Sequence, residues 1–337
     1  MLVLTKSDVS KVIDEFLNTD DLIDNQRNAL ISFSKGKVQN PLRSTIKSGN
    51  HNLLYMPSSV DHQAIGMKVV AVPLPTASVK VKSDGLPGAT IVHDESTGLV
   101  EGLVNATELT ALRTASSSLL GTSLFVPKSA NPRKMVIFST GKQAYNHAAL
   151  FYRFYKESID EITYWNHSST SLDILNSSMF DFVDTEIIQS VIASSEGKRV
   201  DEKLSTADIV ICCTPSLVPL FSSDKVKEGA HITLIGSYKP EMQEIDTQLI
   251  HDAGDSIIVD SRSDCAEEAG EFIRAGTDLS KVHTLGDLLQ GGSSYLERKG
   301  RVSIYKGVGI GIQDSSIARL ILDKAKRNDI GTHIDFN

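Results

Sequence analysis

The chain has 337 residues, 40% of them hydrophobic and 23% charged, and a formal net charge of −8 from 34 basic and 42 acidic side chains. That length suffices for two domains, and the composition excludes a disordered chain. The acidic balance, without a block of Lys or Arg, argues against non-specific nucleic-acid binding and against an anionic membrane surface. No window nears the ~18 apolar residues that a membrane helix needs. Met1-Leu2-Val3-Leu4 turns polar at Thr5, too soon for the core of a signal peptide. Three cysteines, Cys212, Cys213 and Cys265, make no disulfide framework and fit a reducing compartment. The expected location is the cytoplasm.

The predicted elements run as follows. Val9, Val12, Ile13 and Phe16 are spaced for a helix over 7–16, with Ser7 or Asp8 as its cap. Residues 53–56 and 67–72 read as strands broken by Pro57 and Pro73. Strands over 90–92 and 100–104 flank a turn at 94–98. A long helix is predicted over 107–125, capped by Asn105 and stopped by Pro127. The segment 127–133 has the composition of a domain boundary. Beyond it, apolar runs at 135–138, 162–165, 187–192, 209–212, 232–235 and 257–259 alternate with helix-compatible or irregular stretches such as 143–155. That alternation predicts an α/β fold with a doubly wound parallel sheet. The last segment reads as a strand over 302–305, a glycine turn and a helix from Asp314. It either extends the sheet or returns to the first domain, and periodicity leaves both open.

Phe138-Ser139-Thr140-Gly141-Lys142-Gln143-Ala144 follows a buried strand and opens a helix, the context of a dinucleotide fingerprint. Small residues there let the backbone approach a diphosphate, which rests on the helix N-terminus. Gly141 and Ala144 match G-x-G-x-x-G/A, while Ser139 stands where the first glycine belongs. An ordinary strand-to-helix turn accommodates the same residues. A P-loop is excluded by Val136 at the upstream glycine position and by Gln143 after Lys142. The end of the second strand reads Tyr164-Trp165-Asn166-His167-Ser168-Ser169, with no carboxylate to grip ribose hydroxyls and repel a 2′-phosphate. Asp160 and Glu161 lie at its other end. The expected cofactor is therefore NADP(H) rather than NAD(H), although these residues equally begin a helix. No H-x-x-x-H, C-x-x-C or G-x-S-x-G occurs, and no metal site is expected.

Further pieces are distributed along the whole chain. They include Pro41-Leu42-Arg43-Ser44, Tyr55-Met56-Pro57, Gly66-Met67-Lys68-Val69-Val70 and Leu109-Thr110-Ala111-Leu112-Arg113-Thr114-Ala115. In the second half come Cys213-Thr214-Pro215-Ser216, Gly236-Ser237, Glu244-Ile245-Asp246 and Tyr305-Lys306-Gly307-Val308-Gly309 through Asp314. With the Gly141 turn, their order and spacing resemble the ornithine cyclodeaminase/mu-crystallin family almost end to end.

The resemblance implies an α+β substrate-binding and dimerisation domain (1–126 plus 312–337) and a Rossmann-type NAD(P)-binding domain (127–311). It implies that Arg43 and Arg113 hold a substrate α-carboxylate, a task suited to planar, bidentate guanidinium groups. It places Lys68 beside the reacting carbon, where burial near two arginines lowers its pKa and eases proton exchange. For the cofactor it implicates Thr140, Gly141, Lys142, Gln143, Asn166, His167, Thr214, Leu234, Gly236, Gly307 and Val308. Where ornithine cyclodeaminases carry an aspartate, counting from Glu244-Ile245-Asp246, this chain has Tyr238. A phenol with pKa near ~10 cannot replace that carboxylate, though it can donate a hydrogen bond to substrate. Ser139 and Gly307 also depart from the family's usual Gly and Ser.

The expected activity is thus an NAD(P)H-dependent reduction of small imino acids, or the reverse amino-acid dehydrogenation, in a homodimer. Ornithine cyclodeaminase activity and a non-enzymatic, crystallin-like NADPH-binding role are the alternatives.

Overall fold

The computed structural model describes residues 1–74, 76–78, 86–167, 187–292 and 295–336. The chain divides into two compact units, Met1–Arg113 with Gly309–Asn337, and Thr114–Val308.

The first unit opens with strand β1 (Leu2–Leu4) and helix α1 (Lys6–Phe16). The cap of α1 is Thr5, not the expected Ser7 or Asp8. Thr5 Oγ1 accepts from Asp8 N at 3.3 Å while Thr5 N donates to Asp8 Oδ2 at 2.9 Å. Asp8 is therefore the reciprocating third residue of a capping box. Helix α2 (Thr19–Ser34) was not expected from the pattern. Its buried stripe of Leu22, Ile23, Ala29 and Leu30 is interrupted by buried Gln26, whose amide donates to Gln313 O at 3.3 Å.

Strands β2 (Val38–Gln39), β3 (Ser44–Ser48), β4 (His51–Val60), β5 (Ala64–Pro73), β6 (Gly88–His93) and β7 (Val100–Asn105) follow. β4 to β7 form an antiparallel meander, and β1 lies parallel to β7. Pro57 does not break β4, contrary to expectation. β3 pairs with residues 51–55 of β4 and β2 with 59–60, so Pro57 falls in the gap between them on that edge. There no neighbour calls for the amide hydrogen it lacks. The β6–β7 turn is tied by Asp94 Oδ1, which accepts from Ser96 N and Thr97 N.

Helix α3 (Leu109–Phe125) begins after Asn105, whose Oδ1 accepts from Thr107 N at 3.0 Å. Arg113, its fifth residue, is the last of the first unit's amino-terminal part.

The second unit alternates strands and helices. Its elements are β8 (Lys134–Phe138), α4 (Lys142–Phe154), β9 (Glu161–Asn166), β10 (Ile188–Ala193), α5 (Gly197–Leu204), β11 (Ile209–Cys212) and β12 (His231–Leu234). They continue with α6 (Thr247–Ala253), β13 (Ile257–Val259), α7 (Arg262–Glu268), α8 (Gly270–Ala275), β14 (His283–Thr284), α9 (Leu285–Gln290) and β15 (Ser303–Lys306). Every pairing in this sheet is parallel, in the order β10-β9-β8-β11-β12-β15-β13-β14. Met135 to Phe138 and all of β11, β12 and β13 are buried, as their unbroken apolar runs require. The order reverses at β8, which makes the crevice beyond the carboxyl ends of β8 and β11 a topological switch point.

The last segment takes both of its alternatives. β15 inserts between β12 and β13, while helix α10 (Gly311–Arg327) packs on α2, β4 and β5 of the first unit. Strand β16 (Thr332–His333) then pairs antiparallel with β1. No helix among the described residues is long and apolar enough to cross a membrane.

Candidate active site

In the first unit, alternation along β5 turns Ala64, Gly66, Lys68 and Val70 to the buried face, the side covered by α10. Three apolar or small residues on that row suit a core, and a lysine does not. Lys68 is 3% exposed, and its Nζ lies 2.8 Å from Asp314 Oδ2 in the first turn of α10. Arg113 donates from Nε to Asp314 Oδ1 at 3.0 Å and from Nη1 to Gln313 Oε1 at 3.0 Å. Gln313 Oε1 also accepts from Ile310 N, which ties the helix start to the same cluster. Arg43, on the loop before β3, donates from Nη2 to Gly309 O at 3.3 Å. Gly309 has φ +83°, and a Cβ there would sit 2.7 Å from both terminal nitrogens of Arg113. Glycine is the residue that lets this turn and the guanidinium share the space.

One carboxylate thus serves two buried cations, with a third cation beside them. Burial pulls the Lys68 pKa down, and Arg113 and Arg43 add to this against the pull of Asp314, to about 8. Burial acts to raise Asp314, yet Arg113 and Lys68 hold it below the ordinary carboxylate value. The cluster carries surplus positive charge in a desolvated place, which suits a small anion.

In the second unit, β8 runs into the turn at Ser139. Ser139 N donates to Trp165 O at 2.9 Å, so the end of β9, with Asn166 and His167, lies beside this turn. Ser139 has φ +140°, a region that favours glycine, which accounts for the fingerprint's preference at this position. Its Oγ accepts from Gly141 N at 3.1 Å. Gly141 caps the 13-residue α4 without a side chain to bond its first-turn amides. Gln143 Oε1 is buried at the same helix start with no hydrogen-bond partner among the described residues. Across the switch point, Thr214 follows β11 and Gly236 follows β12. A Cβ on Gly236 would lie 1.9 Å from Thr214 O, so these turns touch only through a glycine. An uncapped helix start and closely packed turns at a switch point fit a nicotinamide dinucleotide, and the orphaned acceptor fits a donor such as a ribose hydroxyl rather than the diphosphate.

The structure brings Arg43, Lys68 and Arg113 together in the first unit. In the second, Thr140, Gly141, Lys142, Gln143, Asn166, His167, Thr214, Leu234 and Gly236 gather at the carboxyl end of the parallel sheet, with Gly307 and Val308 following β15. Tyr238 lies just beyond Gly236, half-buried, with Lys239 Nζ 5.7 Å from its ring centre. Ser168 and Ser169 lie outside the described residues. Among the described residues, no group of His, Cys, Asp or Glu could hold a metal ion. Pattern reading assigned no role to Asp314, Gln313 or Glu244. Gln313 and Asp314 stand in a polar run with Ser315 and Ser316 at the start of an amphipathic helix, so the sequence carried no distinct signal for them.

The family model described as "Ornithine cyclodeaminase/mu-crystallin family" matches residues 3–329. The chain is 27% identical to a Delta(1)-pyrroline-2-carboxylate reductase of Bacillus cereus, with both chains covered in full. It is 28% identical to the ketimine reductase mu-crystallin of Rattus norvegicus, over 91% of this chain and 96% of that one. Among solved structures, the Thermococcus litoralis Delta(1)-pyrroline-2-carboxylate reductase in complex with NADH and L-proline superposes with TM-score 0.85 at 23% identity, covering 99% of this chain and 100% of that one. An archaeal alanine dehydrogenase dimer with bound NAD gives TM-score 0.84 at 22% identity, covering 100% and 99%. At these identities the structural likeness speaks for the fold.

Proposed function

The chain belongs to the ornithine cyclodeaminase/mu-crystallin family, and from that membership we propose that it is a nicotinamide-dependent reductase of small α-imino acids, able to run in reverse as an amino-acid dehydrogenase. The observation that carries this reading is the buried cluster of Lys68, Arg113 and Asp314 with Arg43 beside it. The relatives named pyrroline-2-carboxylate and ketimine reductases support the same chemistry.

Arg43 and Arg113 take the substrate carboxylate through charge-assisted, bidentate bonds. That contact fixes the imino carbon relative to Lys68. A reduced nicotinamide, when bound, would supply the hydride for that carbon, and reduction of the C=N bond also takes up a proton at nitrogen. Lys68 Nζ, charged below about pH 8, delivers it. Asp314 acts through Lys68 and Arg113, holding both heads in place. In the reverse direction neutral Lys68 takes the proton from the amine.

The dinucleotide is held by Thr140, Gly141, Lys142 and Gln143 at its diphosphate, by Asn166 and His167 at a ribose, and by Thr214, Leu234, Gly236, Gly307 and Val308 towards the nicotinamide. NADPH is preferred over NADH, because Asn166 and His167 set no negative charge against a 2′-phosphate. Tyr238, in place of an aspartate, disfavours ornithine cyclisation and leaves a hydrogen-bond donor for substrate.

The active form is a homodimer. The outward row of the first unit's sheet is apolar, with Ile46 and Ile65 exposed and Leu53, Tyr55, Met67 and Ile91 half-buried. A self-complementary pairing of that face covers it.

The test is a screen of Δ1-pyrroline-2-carboxylate, its six-membered homologue and mixtures of keto acids with amines, following NADPH and NADH oxidation. Turnover on at least one cyclic or linear imino acid is expected. Lys68→Ala should lower that turnover by roughly 10²-fold or more while NADPH affinity changes little. Release of proline and ammonia from ornithine, without imine reduction, would select the cyclodeaminase instead.

A further inference from the structure

One fully buried carboxylate ties together the turns that end β11 and β12. Glu244 Oε1 accepts from Thr214 N at 2.6 Å and from Thr214 Oγ1 at 2.9 Å, and its Oε2 accepts from Gly236 N at 2.7 Å. Three donors on two separate turns converge on one carboxyl group, and they favour its ionised, accepting form against burial, which raises its pKa to about 7. The carboxylate is itself anchored. Glu244 N donates to Glu271 Oε1 at 2.9 Å, and Ser237 Oγ donates to Glu271 Oε2 at 2.6 Å. Lys306, fully buried at the end of β15, donates to Ser237 O at 2.6 Å and to Ser237 Oγ. The carboxyl ends of three neighbouring strands therefore share one buried ionic network.

Such a network is a poor way to gain stability, since apolar packing of the same volume does as well or better. Its location suggests its use. It lies where open α/β sheets take their ligands, on the β11–β12 side of the switch point. With the adenosine ribose assigned to the β8–β9 side, that half of the sheet faces the nicotinamide nucleotide. We propose that Glu244 is a positioning residue for the nicotinamide half of the dinucleotide, setting the separation of the Thr214 and Gly236 turns between which it is gripped. The inference rests on the dinucleotide reading given above.

Glu244→Gln keeps the shape but turns an NH2 group against the Thr214 or Gly236 amide. Glu244→Asp keeps the charge but is too short to reach both turns. Binding is followed by fluorescence titration with NADPH, and with ADP, which lacks the nicotinamide nucleotide. In each variant the NADPH dissociation constant should rise about tenfold or more, while that of ADP stays within about twofold and the KM for the imino acid at saturating NADPH is little changed. Equal losses for NADPH and ADP, or no loss for either, would overturn the positioning role. Should neither variant fold, amide exchange in the unaltered protein decides. The Thr214 and Gly236 amides should gain protection together on NADPH addition, and unchanged exchange at both counts against the role. An unaltered protein that binds neither NADPH nor NADH fails earlier, by sinking the functional reading itself.

Discussion

On the proposed mechanism, Lys68 is the residue whose ionisation reports the chemistry. Its pKa is drawn down to about 8, from burial first and the two arginines after. Imine reduction uses the protonated amine. Its rate should be level below pH 8 and fall about tenfold per pH unit above it, whereas amino-acid oxidation should rise through the same value. Initial rates in both directions across pH 6 to 10 check this, and parallel profiles would remove Lys68 from proton transfer. Ser139 supplies a second test at this scale. It holds φ +140° at a position that suits glycine, and its hydroxyl occupies the Gly141 amide. Relief of backbone strain worth ~1–3 kcal/mol outweighs the extra chain entropy of glycine, ~0.5–1 kcal/mol. Ser139→Gly should therefore stabilise the protein by about 1 kcal/mol in denaturant titration. It should also tighten NADPH several-fold, because an amide at the helix start is released.

Among the elements, the parallel strands were the most legible. The runs at 209–212 and 257–259 coincide with β11 and β13, and the run at 162–165 extends by one residue at each end. Strands buried on both faces must be apolar throughout, so little competes with that pattern. β3 was invisible for the opposite reason, since all five residues are exposed and nothing imposes alternation. α2 escaped because buried Gln26 interrupts its stripe, and its burial depends on partners in α10 some 287 residues away. Arg43, Lys68 and Arg113 could be singled out only by family resemblance, because a basic side chain is ordinarily solvated wherever it stands. Asp314 looked like a routine acidic residue in a helix's first turn, and its partners are set by the tertiary fold. The loop before α10 carries its own prediction. Gly309→Ala forces a Cβ to within 2.7 Å of the Arg113 guanidinium at φ +83°. The KM for the imino acid should rise about tenfold or more, with NADPH affinity unchanged, and an unaltered KM would dissociate Arg113 from substrate binding.

At the scale of the whole molecule, the Lys68, Arg113 and Asp314 cluster lies in one unit and the Gly141, Thr214 and Gly236 turns in the other, which under the proposed function would divide substrate from cofactor. The apolar outer row of the first unit's sheet predicts association. Sedimentation should give twice the chain mass, and Met67→Lys, a charge in the middle of that row, should shift the protein to monomer. A monomeric unaltered chain would require another explanation for the uncovered face.

The return of α10 has a bearing on how the chain is made. Among the described residues, Lys68 and Arg113 share Asp314 as their counter-ion, 201 residues after Arg113. While the ribosome is still extending the parallel sheet, the meander has no lid, and its inward lysine has no counter-charge. The parallel sheet, contiguous in sequence, is free to form first, and the first unit is completed only as the final helix and strand emerge. A nascent chain cut short before α10 therefore lacks both the cover of its first sheet and the anion that makes its interior charges tolerable.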